Sequence, residues 1–123
     1  MFKIIPATGT DINWARDYLG YNSNGMIMIL SEEDIKTGAV CFDIKDSTGI
    51  LEKIKVDNPE MKTVTTKAAM NFLELNNIYN LYIEKDEFLK DEEFYRSLGF
   101  ENKNGQAYIN LEGYFDAKHE KGC

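Results

Sequence analysis

Three consecutive strand patterns in the first half of the chain constrain the fold most. They are Met26–Leu30, Thr37–Lys45 and Ile50–Val56. The first is a continuous apolar run, typical of a strand covered on both faces, and the second alternates apolar and polar residues. An acidic loop, Ser31–Lys36, and the turn sequence Asp46–Gly49 connect the three patterns. Connections this short predict an antiparallel meander.

A helical segment and a fourth strand pattern follow the meander. Apolar residues recur at helical spacing in the second half of Pro59–Asn77; they are Ala68, Ala69, Phe72, Leu73 and Leu75. Leu81–Glu84 then has the pattern of a short strand. Because a strand, a helix and a strand occur in succession, we expect Ile50–Val56 and Leu81–Glu84 to be parallel and joined by a right-handed crossover.

The N-terminal region predicts one further strand and one further helix. Phe2–Ala7 is an apolar run that is interrupted by Pro6. Thr10 or Asp11 can cap a short helix that ends at Gly20. The apolar residues of this helix are Ile12, Trp14, Ala15, Tyr18 and Leu19.

The heptapeptide Phe94–Phe100 predicts a short helix with a defined end. Acidic residues precede it, where negative charge favours the start of a helix. Gly99 can adopt the left-handed conformation that ends a helix, and Phe100 then folds back onto it as an apolar cap. Phe94 and Leu98 are expected to face the core.

The last strand pattern is Ala107–Leu111, after an Asn104–Gly105 hairpin signal. The polar run Asp116–Cys123 is expected to be a mobile tail. The order of elements predicts a mixed α/β sheet, in which an antiparallel meander is followed by a β-α-β-α-β unit, with helices on both faces. Residues 1–123 are expected to form a single domain.

Composition excludes several classes of protein. Hydrophobic residues make up 43% of the 123 residues, which is enough for a core. The net charge of −7 argues against a nucleic-acid-binding surface, which needs clustered lysines and arginines. No apolar run approaches the length of a membrane span. Cys41 lies in a strand pattern and Cys123 at the end, so a disulfide framework is not indicated. We expect a cytoplasmic protein that binds neither nucleic acid nor membrane.

The element order, together with the Phe-Tyr-x-x-Leu-Gly-Phe string at Phe94–Phe100, resembles the GNAT superfamily of acyl-CoA-dependent N-acetyltransferases. The resemblance covers nearly the whole chain. It implies acetyl-CoA as co-substrate and a small-molecule or peptide amine as acceptor. The N-terminal helical region is shorter here than the two helices that such enzymes carry, and it forms one wall of the acceptor site in that family. A homodimer that completes the site is therefore worth testing.

The resemblance also implies a place for the cofactor phosphates. In the family, the third meander strand ends in a valine, here Val56, before a loop of the form Arg/Gln-x-x-Gly-x-Gly/Ala. Lys62 holds the Arg/Gln position, whereas Thr65 and Lys67 replace the glycines, which normally let the backbone approach phosphate oxygens. The candidate cofactor-binding residues are Ile54, Lys55, Val56, Lys62, Thr63, Val64, Thr65, Thr66 and Lys67.

Two starts of the following helix remain open. Asn58 and Pro59 are a good N-cap and N1 pair, which would start the helix early and put Glu60 in the first turn, where a pyrophosphate would have to bind. Alternatively, the β-branched run Thr63–Thr66 delays the helix and leaves the amides of Lys62–Lys67 available as a phosphate cradle.

Three residues are candidates for the chemistry. Tyr95 matches the family's tyrosine beside the cofactor sulfur and could protonate the leaving thiolate. Glu52 shares a strand face with apolar residues, where burial should raise its pKa toward that of a general base. Glu84 is a second candidate base. Phe88 departs from the family, which commonly has asparagine seven residues before the tyrosine.

No spacing of side chains indicates a metal site, and His119 lies in the predicted tail. The leading hypothesis is a small GNAT-type N-acetyltransferase that acts on an unidentified amine. The competing hypothesis is a GNAT-like domain without catalysis that binds a ligand or another protein. An unrelated α+β domain with the same order of elements is a third reading of the pattern.

Overall fold

The structure, a computed structural model, describes residues 1–116; the predicted tail beyond them, 117–123, with His119 and Cys123, lies outside the described residues. The strands are β1 Phe2–Pro6, β2 Met26–Glu32, β3 Ile35–Lys45, β4 Thr48–Val56, β5 Asn80–Ile83, β6 Glu101–Lys103 and β7 Gln106–Asn110. The helices are α1 Thr10–Leu19, α2 Lys62–Leu75, α3 Lys85–Lys90 and α4 Glu92–Ser97, and a 3₁₀ turn, Pro59–Met61, leads into α2.

Within residues 1–116 the strands form one mixed sheet in the order β1-β2-β3-β4-β5-β7-β6. The predicted meander and the predicted parallel pair are confirmed: β2 is antiparallel to β3, whereas β4 and β5 are parallel, with Thr48 opposite Asn80 and Leu51 opposite Ile83. The parallel register follows from the helix that lies between the two strands in sequence.

The described residues fall into two compact units. The first comprises Met1–Asp43 and Glu52–Ala69. Its core lies where α1 packs on the sheet, and the buried members are Ala15, Leu19, Ile27, Ile29, Ala39 and Cys41. The alternate residues of the same strands, including Met28 and Val40, are buried as well. Both faces of β2 are therefore covered, as its continuous apolar run predicts. Both faces of β3 are covered as well, since residues 38–42 are all buried, although its sequence alternates.

The second unit comprises Ile44–Leu51 and the described residues from Met70 onward. Its largest fully buried side chains include those of Leu73, Leu81, Tyr95, Phe100 and Leu111. Packing is close at Gly49, where α2 meets the sheet, because a Cβ at this position would lie 3.1 Å from the Leu73 side chain and 3.2 Å from that of Leu81. Close packing of this kind leaves little room for a larger residue.

The end of α4 confirms the prediction for Gly99 and Phe100. Gly99 has a φ of 110°, and the Phe100 amide donates to the Tyr95 carbonyl at 3.2 Å. Phe100 is 1% exposed, so it does fold back as an apolar cap. Leu98 is buried as expected, whereas Phe94 is half-buried.

Two predicted boundaries were wrong. Neither Thr10 nor Asp11 caps α1; the N-cap is Gly9, and no side chain caps the helix. The acidic loop Ser31–Lys36 is a tighter turn, because Glu33 and Asp34 both have positive φ and let β2 and β3 extend into the loop.

The apolar face predicted for α2 was also partly wrong. Leu75 is 70% exposed, whereas Thr65 and Thr66 are fully buried on the core side of α2 together with Ala69 and Leu73. Two elements, α3 and β6, were not predicted at all.

Candidate functional site

The β4–β5 pairing stops where the site is expected to begin. It covers Thr48–Leu51 and Asn80–Ile83, and the Glu84 amide donates to the Leu51 carbonyl at 3.0 Å. Beyond this point the chain enters α3, while β4 continues as an extended strand to Val56. This second half of β4 carries the candidate cofactor contacts Ile54, Lys55 and Val56. Ile54 is 7% exposed, and Lys55 is exposed.

The helix after β4 starts early, so the early-start alternative is confirmed and the delayed start is wrong. The Asn58 side chain caps the turn by accepting a hydrogen bond from the Glu60 amide at 3.1 Å, with Pro59 at the first position. The Met61 amide donates to the Asn58 carbonyl at 2.9 Å. The amides that open this helical segment therefore have partners within the chain, and Glu60 lies in the first turn.

Thr65 and Thr66 occupy buried positions inside α2. Both are fully buried, and their hydroxyls donate to the Met61 and Lys62 carbonyls at 2.7 and 2.8 Å. These bonds to the preceding turn explain how a β-branched run is accommodated in a helix. The hydroxyl protons are thus held by the helix itself.

The remaining candidate contacts in α2 lie nearer the surface. Thr63 is exposed, while Lys62, Val64 and Lys67 are half-buried. Two of them are lysines, so this part of α2 carries positive charge next to the acidic first turn.

Glu52 lies in a hydrogen-bond network in the first unit. The Ser23 hydroxyl donates to Glu52 Oε1 at 2.9 Å and accepts from the Gly25 amide at 3.0 Å. Arg16 Nε donates to the Ser23 carbonyl at 3.0 Å, which fixes the loop between α1 and β2. Ser23 is 2% exposed and Glu52 is half-buried. Sequence reasoning missed Ser23, because no pattern links residues so far apart along the chain.

In the loop between α1 and β2, the backbone at Gly25 lies close to the backbone of β3 at Phe42. A Cβ at Gly25 would collide with the backbone carbonyl of Phe42. Only a residue without a side chain fits there, so Gly25 allows the Ser23 hydroxyl to reach the carboxylate of Glu52.

Tyr95 is enclosed in the second unit. It is 0% exposed, and its hydroxyl donates to Glu87 Oε2 at 2.7 Å. Burial raises the pKa of Tyr95 well above its usual value, and the negative charge and hydrogen bond of Glu87 raise it further. Phe88, at the position where the resemblance expects asparagine, packs with its ring centroid 6.2 Å from that of Tyr95. The phenol is therefore a buried hydrogen-bond donor.

Glu84 belongs neither to the Ser23–Glu52 pair nor to the Tyr95–Glu87 pair. Its side chain is exposed, and it precedes α3 without capping the helix through that side chain. Its backbone amide is the group that closes the end of β5, through the bond to Leu51.

Two absences apply to residues 1–116. No cluster of three or more histidine, cysteine, aspartate or glutamate side chains there is arranged to hold a metal ion. Nor does that part of the chain contain a helix of sufficient length and apolarity to span a bilayer.

Comparison with solved structures identifies the fold. The ribosomal-protein-S18-alanine N-acetyltransferase from Escherichia coli superposes with a TM-score of 0.72 at 13% identity, over 91% of this chain and 95% of that protein. A GNAT-family acetyltransferase from Staphylococcus aureus Mu50 gives a TM-score of 0.68 at 14% identity, over 91% and 100% of the two chains.

A third similar structure contains a ligand. YhhK from E. coli, solved with coenzyme A bound, has a TM-score of 0.61 at 16% identity, over 89% of this chain and 98% of YhhK. No protein-family model matches the sequence, and no curated protein matches it.

Proposed function

Because the chain has the fold of the GNAT acetyltransferases, we propose that it transfers an acetyl group from acetyl-CoA to an amine. One observation carries the proposal: β4 continues from Glu52 to Val56 after its pairing with β5 has ended. An extended strand edge offers alternating N–H and C=O groups, which can pair with the two amides of a pantetheine arm as they would with another strand.

The cofactor phosphates would be bound mainly by charge. The amides at the start of the helical segment are already used, and the hydroxyls of Thr65 and Thr66 donate to α2 itself. Lys62, Lys67 and the exposed Thr63 lie close to the beginning of α2 and are the proposed phosphate partners. A lysine contacts phosphate as a point charge, so this site would bind more weakly than an amide cradle. The negative charge of Glu60 opposes the binding.

Glu52 would act as the general base. The amine must lose a proton before its nitrogen attacks the thioester carbonyl carbon. The carbon–nitrogen bond then forms and leaves the nitrogen with a surplus proton. As the carbon–sulfur bond breaks, that proton passes to solvent, and the thiolate takes up a proton from solvent. The Ser23 hydroxyl holds the carboxylate in one orientation for this step.

We assign Tyr95 to packing rather than to proton transfer. Its hydroxyl would reach a thiolate only after the bond to Glu87 had broken. The thiolate can leave without an enzymatic acid, because a thiol with a pKa of about 8.5 is a good leaving group.

The acceptor is proposed to be a small-molecule or peptide amine. The net charge of −7 favours a cationic partner through long-range attraction. Cys41 is a buried thiol, which fits the reducing cytoplasm as the compartment. We propose a homodimer in which the second copy contributes to the acceptor site.

The experiment is release of coenzyme A thiol from acetyl-CoA in the presence of a panel of primary amines and peptide N-termini. Amine-dependent release that follows the concentration of the protein supports the proposal. Saturable binding of acetyl-CoA without release with any amine would contradict the transferase activity.

A second candidate is a GNAT-like domain without catalysis, which binds a ligand or a protein partner. Two observations favour it: Glu60 occupies the first turn where phosphate would bind, and Tyr95 is enclosed with Glu87. This candidate predicts neither thiol release nor stabilisation by acetyl-CoA.

A further inference from the structure

A cavity in the second unit is separate from every residue assigned above to catalysis or cofactor binding. Its volume is about 340 Å³, within the range of about 300–1,000 Å³ that is usual for small-ligand sites. It lies among α3, α4 and the β6–β7 hairpin. The residues that the argument uses are Ile83, Lys85, Phe88, Arg96, Asn102 and Ala107.

The cavity has an apolar side. Ile83 and Ala107 face each other across β5 and β7 and are 4% and 6% exposed. Phe88 is 7% exposed and adds an aromatic ring. Leu89, also in the lining, is 58% exposed and so leaves apolar surface in contact with water. An apolar group that enters the cavity would cover this surface, which favours binding.

The lining of the cavity also contains hydrogen-bond donors. The Arg96 guanidinium lies 5.6 Å from the Phe88 ring centroid. Its Nε and Nη2 bond Glu92 Oε2 at 2.9 and 2.8 Å, which neutralises the one carboxylate of the lining and fixes the guanidinium plane. A guanidinium has five N–H donors, so further donors remain for a ligand.

Two further residues of the lining, Lys85 and Asn102, add donors. Lys85 contributes a second positive charge to the lining. The Asn102 Oδ1 accepts from the Gly105 amide at 3.0 Å, so the amide nitrogen of Asn102 is the group that can face a ligand. The charged and polar groups together favour an anion.

We propose that this cavity binds a small carboxylic acid with an aromatic or branched apolar tail. The carboxylate lies on the Arg96 guanidinium with support from Lys85, and the tail packs against Ile83, Phe88 and Ala107. The fixed plane of the guanidinium suits the two oxygens of a carboxylate. The proposal does not depend on the proposed transferase activity.

The test is a titration of the ¹⁵N-labelled protein with 3-phenylpropanoate, followed by amide chemical shifts. The matched probes are 3-phenylpropanol and 3-phenylpropylamine, which keep the tail and change the charge. We expect the acid to bind with a dissociation constant of about 1 mM and to shift the amides of Arg96, Gln106 and Ala107. The alcohol and the amine should bind at least about 10-fold more weakly, because they lack the charge-assisted bonds.

Arg96→Gln should weaken binding of 3-phenylpropanoate about 10-fold, whereas Lys103→Gln, an exposed lysine outside the lining, should leave it unchanged. Four results would overturn the proposal: no shifts at about 10 mM acid, equal binding of the amine, equal binding by Arg96→Gln, or shifts centred elsewhere. Displacement of the acid by coenzyme A would also overturn it as a separate site. If Arg96→Gln is unstable, comparison of the acid, the alcohol and the amine on the wild-type protein still tests the proposal.

Discussion

Two of the hydroxyl–carboxylate pairs of the molecule, one in each unit, have similar chemistry in different surroundings. In the first unit, the Ser23 hydroxyl donates to Glu52 at 2.9 Å, and Glu52 is half-buried. In the second, the Tyr95 hydroxyl donates to Glu87 at 2.7 Å, and both side chains are buried, at 0% and 5% exposure. The bond lengths differ little, so the difference between the pairs lies in access to solvent and substrate.

The difference in solvent access distinguishes a catalytic role from a structural one, which the sequence alone does not distinguish. A carboxylate at a partly open position can exchange a proton with a substrate, whereas a buried hydroxyl–carboxylate hydrogen bond contributes to stability. We therefore propose that Glu52 takes part in the chemistry and that the Tyr95–Glu87 pair serves the packing of α3 against α4.

Glu52→Gln should have the largest effect. Loss of the base is expected to lower kcat by at least about 100-fold, with little change in acetyl-CoA affinity. Steady-state thiol release and a parallel binding titration measure the two quantities. Glu84→Gln is the matched control, since that carboxylate is exposed and should be dispensable. Full activity in Glu52→Gln, or its loss in Glu84→Gln, would reverse the assignment.

Tyr95→Phe should act on stability instead. Removing the hydroxyl takes a buried partner from Glu87, which is expected to cost about 1–3 kcal/mol of the free energy of unfolding. Urea unfolding measures the change. Tyr79→Phe, whose hydroxyl bonds Asn77 at an exposed position, should cost less than about 0.5 kcal/mol. A Tyr95→Phe variant of unchanged stability but greatly reduced kcat would instead make the phenol the catalytic acid.

The dependence of stability on alkaline pH also tests the burial of the Tyr95–Glu87 pair, and the expected change in stability is smaller. The pKa of Tyr95 is raised in the folded protein, so the unfolded chain releases this proton first as the pH rises. The stabilisation is complete below the unfolded value of about 10. Above it, the stability should fall by about 1.4 kcal/mol per pH unit. Unfolding measured between about pH 9 and 11 should show a steeper loss in the wild type than in Tyr95→Phe; identical slopes would contradict the buried pair.

Much of the fold follows from local patterns. The apolar run at Met26–Leu30 and the connection through α2 predict the meander and the parallel pair, because both depend on burial and chain connectivity alone. Two elements have no such signal. In β6, Glu101–Lys103 has no apolar residue and is formed through pairing with β7 across the Asn104–Gly105 turn.

The other missed element, α3, depends on a tertiary contact. Its sequence is mostly charged, and its buried Glu87 accepts a hydrogen bond from Tyr95, eight residues later. A buried glutamate cannot be distinguished from a solvated one by its neighbours in sequence.

The candidate site was predicted less completely than the fold. Glu52 could be singled out on its strand, but Ser23 lies 29 residues away in sequence, and only the folded chain brings the two together. The β-branched run at Thr63–Thr66 argued for a late helix start, yet burial of Thr65 and Thr66 and their bonds to the preceding turn outweigh the weak helical propensity.

Calorimetric titration with coenzyme A tests the central proposal most directly, namely that the strand edge Glu52–Val56 and the start of α2 hold the cofactor. The account predicts a single site with a dissociation constant of about 10–100 µM. Glu60→Gln should bind about two- to fivefold more tightly, because it removes a negative charge beside the phosphates, while Glu93→Gln in α4 should match the wild type. Absence of binding heat at about 1 mM coenzyme A in both the wild type and Glu60→Gln would contradict the account.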